Sequence, residues 1–193
     1  MTQPTIKTNY SALSTLVTVF FFWGFIASGN GVFIPFCKNY FHLDQFQSQL
    51  IDFAFYGAYY LGALTLFILS VFRQSDLVSA WGYKRSIVYG LLFSFLGSLA
   101  MIVAVNFGGF GGILFSLFIV ALGFSLQQTA AQPFSITLGD PATGNTRITL
   151  GGAVNSFGTT IGPIIVGLAL FGAVSHTDEM VNSLELNTIT LLY

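Results

Sequence analysis

Ser125, Gln128, Thr129, Gln132 and Ser135 recur at steps of three and four, with Gln127 beside them. That spacing traces one face of an α-helix. The residues are uncharged amides and hydroxyls, which both donate and accept hydrogen bonds, so the face suits a neutral polyhydroxyl ligand better than an ion. Asn155 with Thr159 one turn later, Ser156 with Thr160, and Ser28 with Asn30 add groups of the same type from two further stretches. A structural reading competes, because such groups also hydrogen-bond between helices and hold them together. Asp52 is the one carboxylate inside an apolar stretch. Acids so placed often relay protons; equally, an acid near the interface can be hydrated or paired with a loop group. His42 and Asp44 lie close together without further ligands in register, so no metal site is expected. Cys37, the only cysteine, reads as a small apolar filler. No glycine-rich phosphate loop, nucleophile elbow or pair of catalytic carboxylates is present, and neither enzyme activity nor a cofactor is expected.

The elements that must carry these residues follow from composition. Of 193 residues, 54% are hydrophobic and 7% charged, and the mean hydropathy is +0.77. Soluble domains carry about 25% charged residues. Here residues 8–37, 53–72, 86–139 and 148–177 contain no charge at all. A spanning helix takes about 20 mostly apolar residues, so three of these windows hold one span each and the longest holds two. A soluble enzyme, a nucleic-acid binder and a disordered chain are excluded, and a net charge of −1 gives polyanionic partners no support. Runs such as 117–122 and 164–173 are apolar on every side. Transmembrane strands would alternate; an all-apolar run satisfies its own backbone as a helix.

The expected architecture is an all-α membrane protein in a lipid bilayer. A cytoplasmic N-terminus (1–12) precedes a bundle over 13–173, with spans at 13–36, 48–72, 86–105, 111–137 and 149–173. An outer segment, 174–193, follows, with a sixth helix expected to begin near Ile189. The first span is too long for a signal peptide and is interrupted by Ser28, Gly29 and Asn30, so it is read as uncleaved. With the N-terminus inside, Lys7, Arg73, Lys84, Arg85 and Arg147 face the cytoplasm and only Lys38 lies outside, as the positive-inside rule favours. Asp178, Glu179, Glu185 and His176 fall in the outer tail. Small residues at Ala54, Ala58 and Gly62, and at Gly158 and Gly162, predict close helix approach. Pro133 and Pro163 predict kinks or breaks, and Ser75-Asp76 predicts a capped interfacial helix carrying Leu77 and Trp81.

Several segments together resemble one family. Phe20-Phe21-Phe22-Trp23-Gly24 leading to Asn30 and Pro35, then Leu50-Ile51-Asp52-Phe53-Ala54-Phe55-Tyr56-Gly57, is similar to the first two helices of the fucose/glucose–galactose symporters of the major facilitator superfamily. Gln127-Gln128-Thr129-Ala130-Ala131-Gln132-Pro133-Phe134 resembles that family's fourth-helix motif. Leu138-Gly139-Asp140, Arg147 and the stretch from Asn155 to Pro163 resemble the block that follows, and Gly82-Tyr83-Lys84-Arg85 the end of the basic loop between helices 2 and 3. The resemblance implies five transmembrane helices of an N-terminal six-helix bundle. It also implies a monosaccharide as substrate (glucose, galactose or fucose type), coupled to a proton or, in some members, sodium, and carried by alternating access. Substrate-binding candidates are Asn30, Gln127, Gln128, Gln132, Asn155 and Thr159; Trp23, Phe55 or Tyr56 could stack on a sugar ring; Gly82, Lys84 and Arg85 form the cytoplasmic loop motif.

Three departures stand out: Gly31 replaces the fucose symporters' aspartate, Gln128 their glutamate, and Gln132 the motif asparagine. The fucose-type proton carboxylates are thus missing, and Asp52 is the proton-coupling candidate in their place. The length predicts a truncated product, a fragment or one partner of a split protein, with a C-terminal half as missing partner; the resemblance implies the bacterial inner (plasma) membrane as location. The alternative is an inactive transporter half or a membrane scaffold without transport.

Overall fold

The computed structural model describes residues 7–107 and 109–171. Residues 174–193, expected as an outer tail with His176, Asp178, Glu179, Glu185 and a sixth helix, lie outside the described residues. Five long helices, α1 (Tyr10–Tyr40), α2 (Gln45–Arg73), α4 (Tyr83–Asn106), α5 (Phe110–Thr137) and α6 (Gly144–Phe171), alternate in direction, with a short α3 (Leu77–Trp81) between α2 and α4. All five are long and apolar enough to cross a membrane. Large apolar side chains such as Phe53, Phe67, Phe72, Phe95 and Phe115 are exposed. In water such a surface would drive aggregation; against lipid it is the expected exterior, and the chain is an integral membrane protein.

Polar side chains cap the starts of α1, α2 and α3. Asn9 accepts from Ala12 N at the start of α1. At α2, Asp44 and Gln47 form a reciprocal capping box, which moves the helix start to Gln45. Asp52 therefore sits two turns in rather than one. Asp76 caps α3 as expected. Gly82 links α3 to α4 at φ +85°, a conformation that costs glycine no Cβ clash. Neither Pro133 nor Pro163 breaks its helix; within a bundle, neighbouring helices and local adjustments meet the freed backbone groups.

The bundle is held by close contacts of small residues. A Cβ built at Gly97 of α4 would lie 2.7 Å from Val120 N of α5. One at Gly62 of α2 would lie 2.8 Å from the Ser125 side chain of α5. On α6, Gly158 meets the Phe21 carbonyl and Gly162 meets Ser28 of α1, while Gly24 of α1 meets the Asn155 carbonyl. The glycine spacing on α6 thus marks a contact with α1. The equally tight α4–α5 contact through Gly90, Gly97 and Gly123 had no recognised motif to announce it.

The topology collects Lys7, Arg73, Lys84, Arg85 and Arg147 at one end of the bundle and Lys38 at the other. Arg147 differs from the rest in being 4% exposed. Its Nε donates to the Ser135 carbonyl (2.7 Å), and Nη2 donates to those of Ile136 (2.7 Å) and Asp140 (2.9 Å). Nη1 reaches Thr143 Oγ1 at 2.7 Å. The guanidinium therefore satisfies carbonyls at the end of α5, where the helix dipole is negative. Arg147→Ala leaves those carbonyls without a donor and is expected to cost about 3 kcal/mol, since hydrogen bonds to charged groups contribute about 1.5–3 each. Denaturation in detergent measures this; Arg147→Lys, a point charge without the planar fork, should recover less than half.

Candidate functional site

A cavity of about 260 Å³ opens where α1, α2, α5 and α6 meet. Three of the expected binding residues converge there: Gln128 from α5, and Asn155 and Thr159 from α6. Trp23 and Gly24 of α1 with Phe55, Tyr56 and Tyr59 of α2 form much of the remaining wall. Among the described residues, no charged side chain lines it.

The polar groups are partly committed and partly free. Tyr59 Oη donates to Gln128 Oε1 at 2.8 Å, which sets the amide and leaves its nitrogen without a bond to a described residue. Asn155 Nδ2 donates to the Phe20 carbonyl at 3.0 Å, tying α6 to α1 and leaving Oδ1 as an acceptor. Thr159 Oγ1 donates to the Asn155 carbonyl at 3.1 Å, with lone pairs to spare. A donor, acceptors and aromatic walls without a net charge can hold a small neutral molecule that both gives and takes hydrogen bonds. Tyr59 was not singled out from the sequence; its place seven residues after Asp52 and three before Gly62 on one helix was the available signal.

The other candidates go elsewhere. Gln127 is 1% exposed and faces away from the cavity. Its Oε1 accepts from Trp23 Nε1 at 2.9 Å, and its Nε2 donates to Ser94 Oγ at 3.0 Å, which donates to the Val120 carbonyl. That chain joins α1, α5 and α4, so this amide does the interhelical work of the competing reading. Asn30 is buried, outside the cavity lining, with Nδ2 unpartnered among the described residues; it continues the α1 face of Trp23 and Ala27 one turn further on. Gln132 is exposed one turn from Gln128.

The five-residue polar stripe is therefore divided. Ser125 is buried against Gly62, Ser135 is tied to the Gln132 carbonyl, and only Gln128 reaches the cavity. Residues at three- and four-residue steps spread over a wide arc of the helix, and here that arc meets different neighbours. Asp52 is half-buried, without a hydrogen bond or ion pair to a described residue, one turn from Tyr56 on the same face of α2. Of the stacking candidates, Trp23 and Phe55 are buried in the wall and Tyr56 is exposed. Lys84 and Arg85 are exposed at the basic end, after Gly82. Asp44 is committed to capping α2, and no cluster of three or more metal-ligating side chains occurs among the described residues.

No protein-family model matches the chain. It is 38% identical over 183 residues to a glucose/galactose transporter of Brucella abortus, covering 94% of this chain and 42% of that protein. Against an L-fucose-proton symporter of Escherichia coli it is 30% identical, covering 85% and 36% respectively. The fold matches a crystal structure of a major facilitator superfamily transporter, FucP, in the outward conformation. There the TM-score is 0.69 with 26% identity, over 94% of this chain and 44% of the other. The chain thus spans about two fifths of the length of these relatives. They are named as transporters, not enzymes, as the absence of catalytic motifs led us to expect.

Proposed function

We propose, from the premise that this chain has the major facilitator fold and is homologous to sugar carriers, that it forms one side of the pathway of a monosaccharide symporter. The observation that carries the reading is the convergence of Gln128, Asn155 and Thr159 with Tyr56 and Tyr59 around one uncharged cavity. At about 260 Å³ it leaves room for a single sugar ring of the glucose, galactose or fucose type. In transporters built from repeats, the substrate lies at the interface between repeats near the midplane. A second half would therefore supply the opposite wall, and alternating access would expose the sugar to each side in turn. The coupling ion is read as a proton, with Asp52 as its acceptor. Likeness to transporters of bacteria supports a bacterial inner membrane location, and the concentration of basic residues at the α1 N-terminal end supports that end as cytoplasmic.

The test is uptake of labelled D-glucose, D-galactose and L-fucose into vesicles holding this chain co-expressed with the remaining portion of the B. abortus relative. At least one sugar should accumulate, and Gln128→Ala should raise KM about tenfold with little change in kcat, the loss of one hydrogen bond in a low-dielectric site. No uptake of any hexose by a folded, co-assembled pair would overturn the reading and favour a non-transporting scaffold.

A further inference from the structure

A separate groove of about 410 Å³ lies between α2 and α4 with α5 as its floor, and it shares no lining residue with the sugar cavity. Its walls are largely apolar: Leu66 from α2, Tyr89 and Phe93 from α4, Leu122 and Leu126 from α5. Trp81 of α3 stands at its basic end and packs edge-on against Tyr89, with ring centroids 5.9 Å apart. Helical register carries both walls to a cation. Arg85 precedes Tyr89 and Phe93 by one and two turns on the same face of α4, and Arg73 follows Leu66 by two turns on α2. Arg73 and Arg85 are exposed, and neither has a hydrogen bond or ion pair to a described residue. The acid between them in sequence, Asp76, is already engaged by Val78 N and Ser79 Oγ.

We propose that this groove holds an acyl chain of an anionic phospholipid whose phosphate head group lies between Arg73 and Arg85. An apolar channel open on the lipid side takes hydrocarbon, and Trp81 and Tyr89 stand where amphipathic rings meet head groups. Two unpaired arginines at the mouth select negative over zwitterionic heads, as basic pockets between transmembrane helices do. The site depends on the chain being in a bilayer and not on what it transports.

Trp81 is the reporter, because Trp23, the other tryptophan, is buried. The 193-residue chain is placed in phosphatidylcholine nanodiscs doped with acyl-brominated phosphatidylglycerol or, in parallel, acyl-brominated phosphatidylcholine, with Trp81→Phe giving the background. Brominated phosphatidylglycerol is expected to quench at about thirtyfold lower mole fraction, the combined electrostatic attraction of two basic residues near the surface. Arg73→Gln with Arg85→Gln should reduce it to the phosphatidylcholine level, while Lys7→Gln, at the same end but in the segment before α1, leaves the preference intact. Equal quenching by both lipids, or an unchanged preference in the double variant, overturns the proposal. So does protection of Trp81 from both lipids, which would mean that a protein segment occupies the groove.

Discussion

Asp52→Asn in the co-assembled carrier is expected to abolish pH-driven sugar accumulation while leaving sugar-for-sugar exchange intact. Asp52 is the one carboxylate within the described long apolar runs, is half-buried, and has no partner among the described residues. It shares the face of α2 with Tyr56 and Tyr59, one and two turns away, and both line the cavity. Asparagine keeps the size and a carbonyl acceptor but cannot take up a proton. With an imposed gradient of one pH unit, a one-proton carrier accumulates about tenfold, since about 1.4 kcal/mol is a factor of ten. The variant should equilibrate its sugar and go no further. Counterflow needs binding and conformational exchange but no net proton movement, so its rate should stay near that of the parent. Accumulation at the parent level in Asp52→Asn would remove the coupling role and leave the sugar site standing.

Gly24→Val is the substitution expected to damage the fold most. A Cβ at Gly24 would fall on the Asn155 carbonyl and within 2.8 Å of Thr159 Oγ1, and those contacts are backbone or a short side chain with little freedom to move. On the facing helix Gly158 is equally close to the Phe21 carbonyl, so α1 and α6 cannot slide apart locally without losing both approaches. Separating them also breaks the Asn155–Phe20 hydrogen bond and opens the cavity wall. Overpacking of this kind costs about 1–3 kcal/mol and occasionally more, and with the lost hydrogen bond we expect about 3 kcal/mol and a polydisperse product in detergent. Gly29→Ala is the matched control. Nothing lies within 4 Å of its Cβ position, and alanine gains helix propensity over glycine. Size-exclusion profiles and thermal unfolding of the two variants compare them directly; equal behaviour would mean that the α1–α6 contact is looser than described.

The division between what could be read and what could not runs through particular residues. Windows without charge located five membrane-crossing helices, because hydrocarbon tolerates neither a stray charge nor an unpaired backbone group. The cap at Asp76 and the glycine pair on α6 were legible for the same local reason: they depend on contacts or spacing within one helix, whereas the capping box at Asp44 was missed and the start of α2 with it. The direction in which each polar side chain points was not legible. Gln127 and Gln128 are neighbours of identical type, yet one bridges Trp23 and Ser94 inside the bundle and the other meets Tyr59 at the cavity. Successive residues of a helix point about 100° apart, and which of those directions holds a helix, a cavity or lipid depends on where the other helices stand. The sequence by itself therefore determined solvent, span and the small-residue faces of α2 and α6, but not the glycine contact between α4 and α5. Only the tertiary structure decided which amide binds the bundle and which faces the cavity, because that choice belongs to the neighbours.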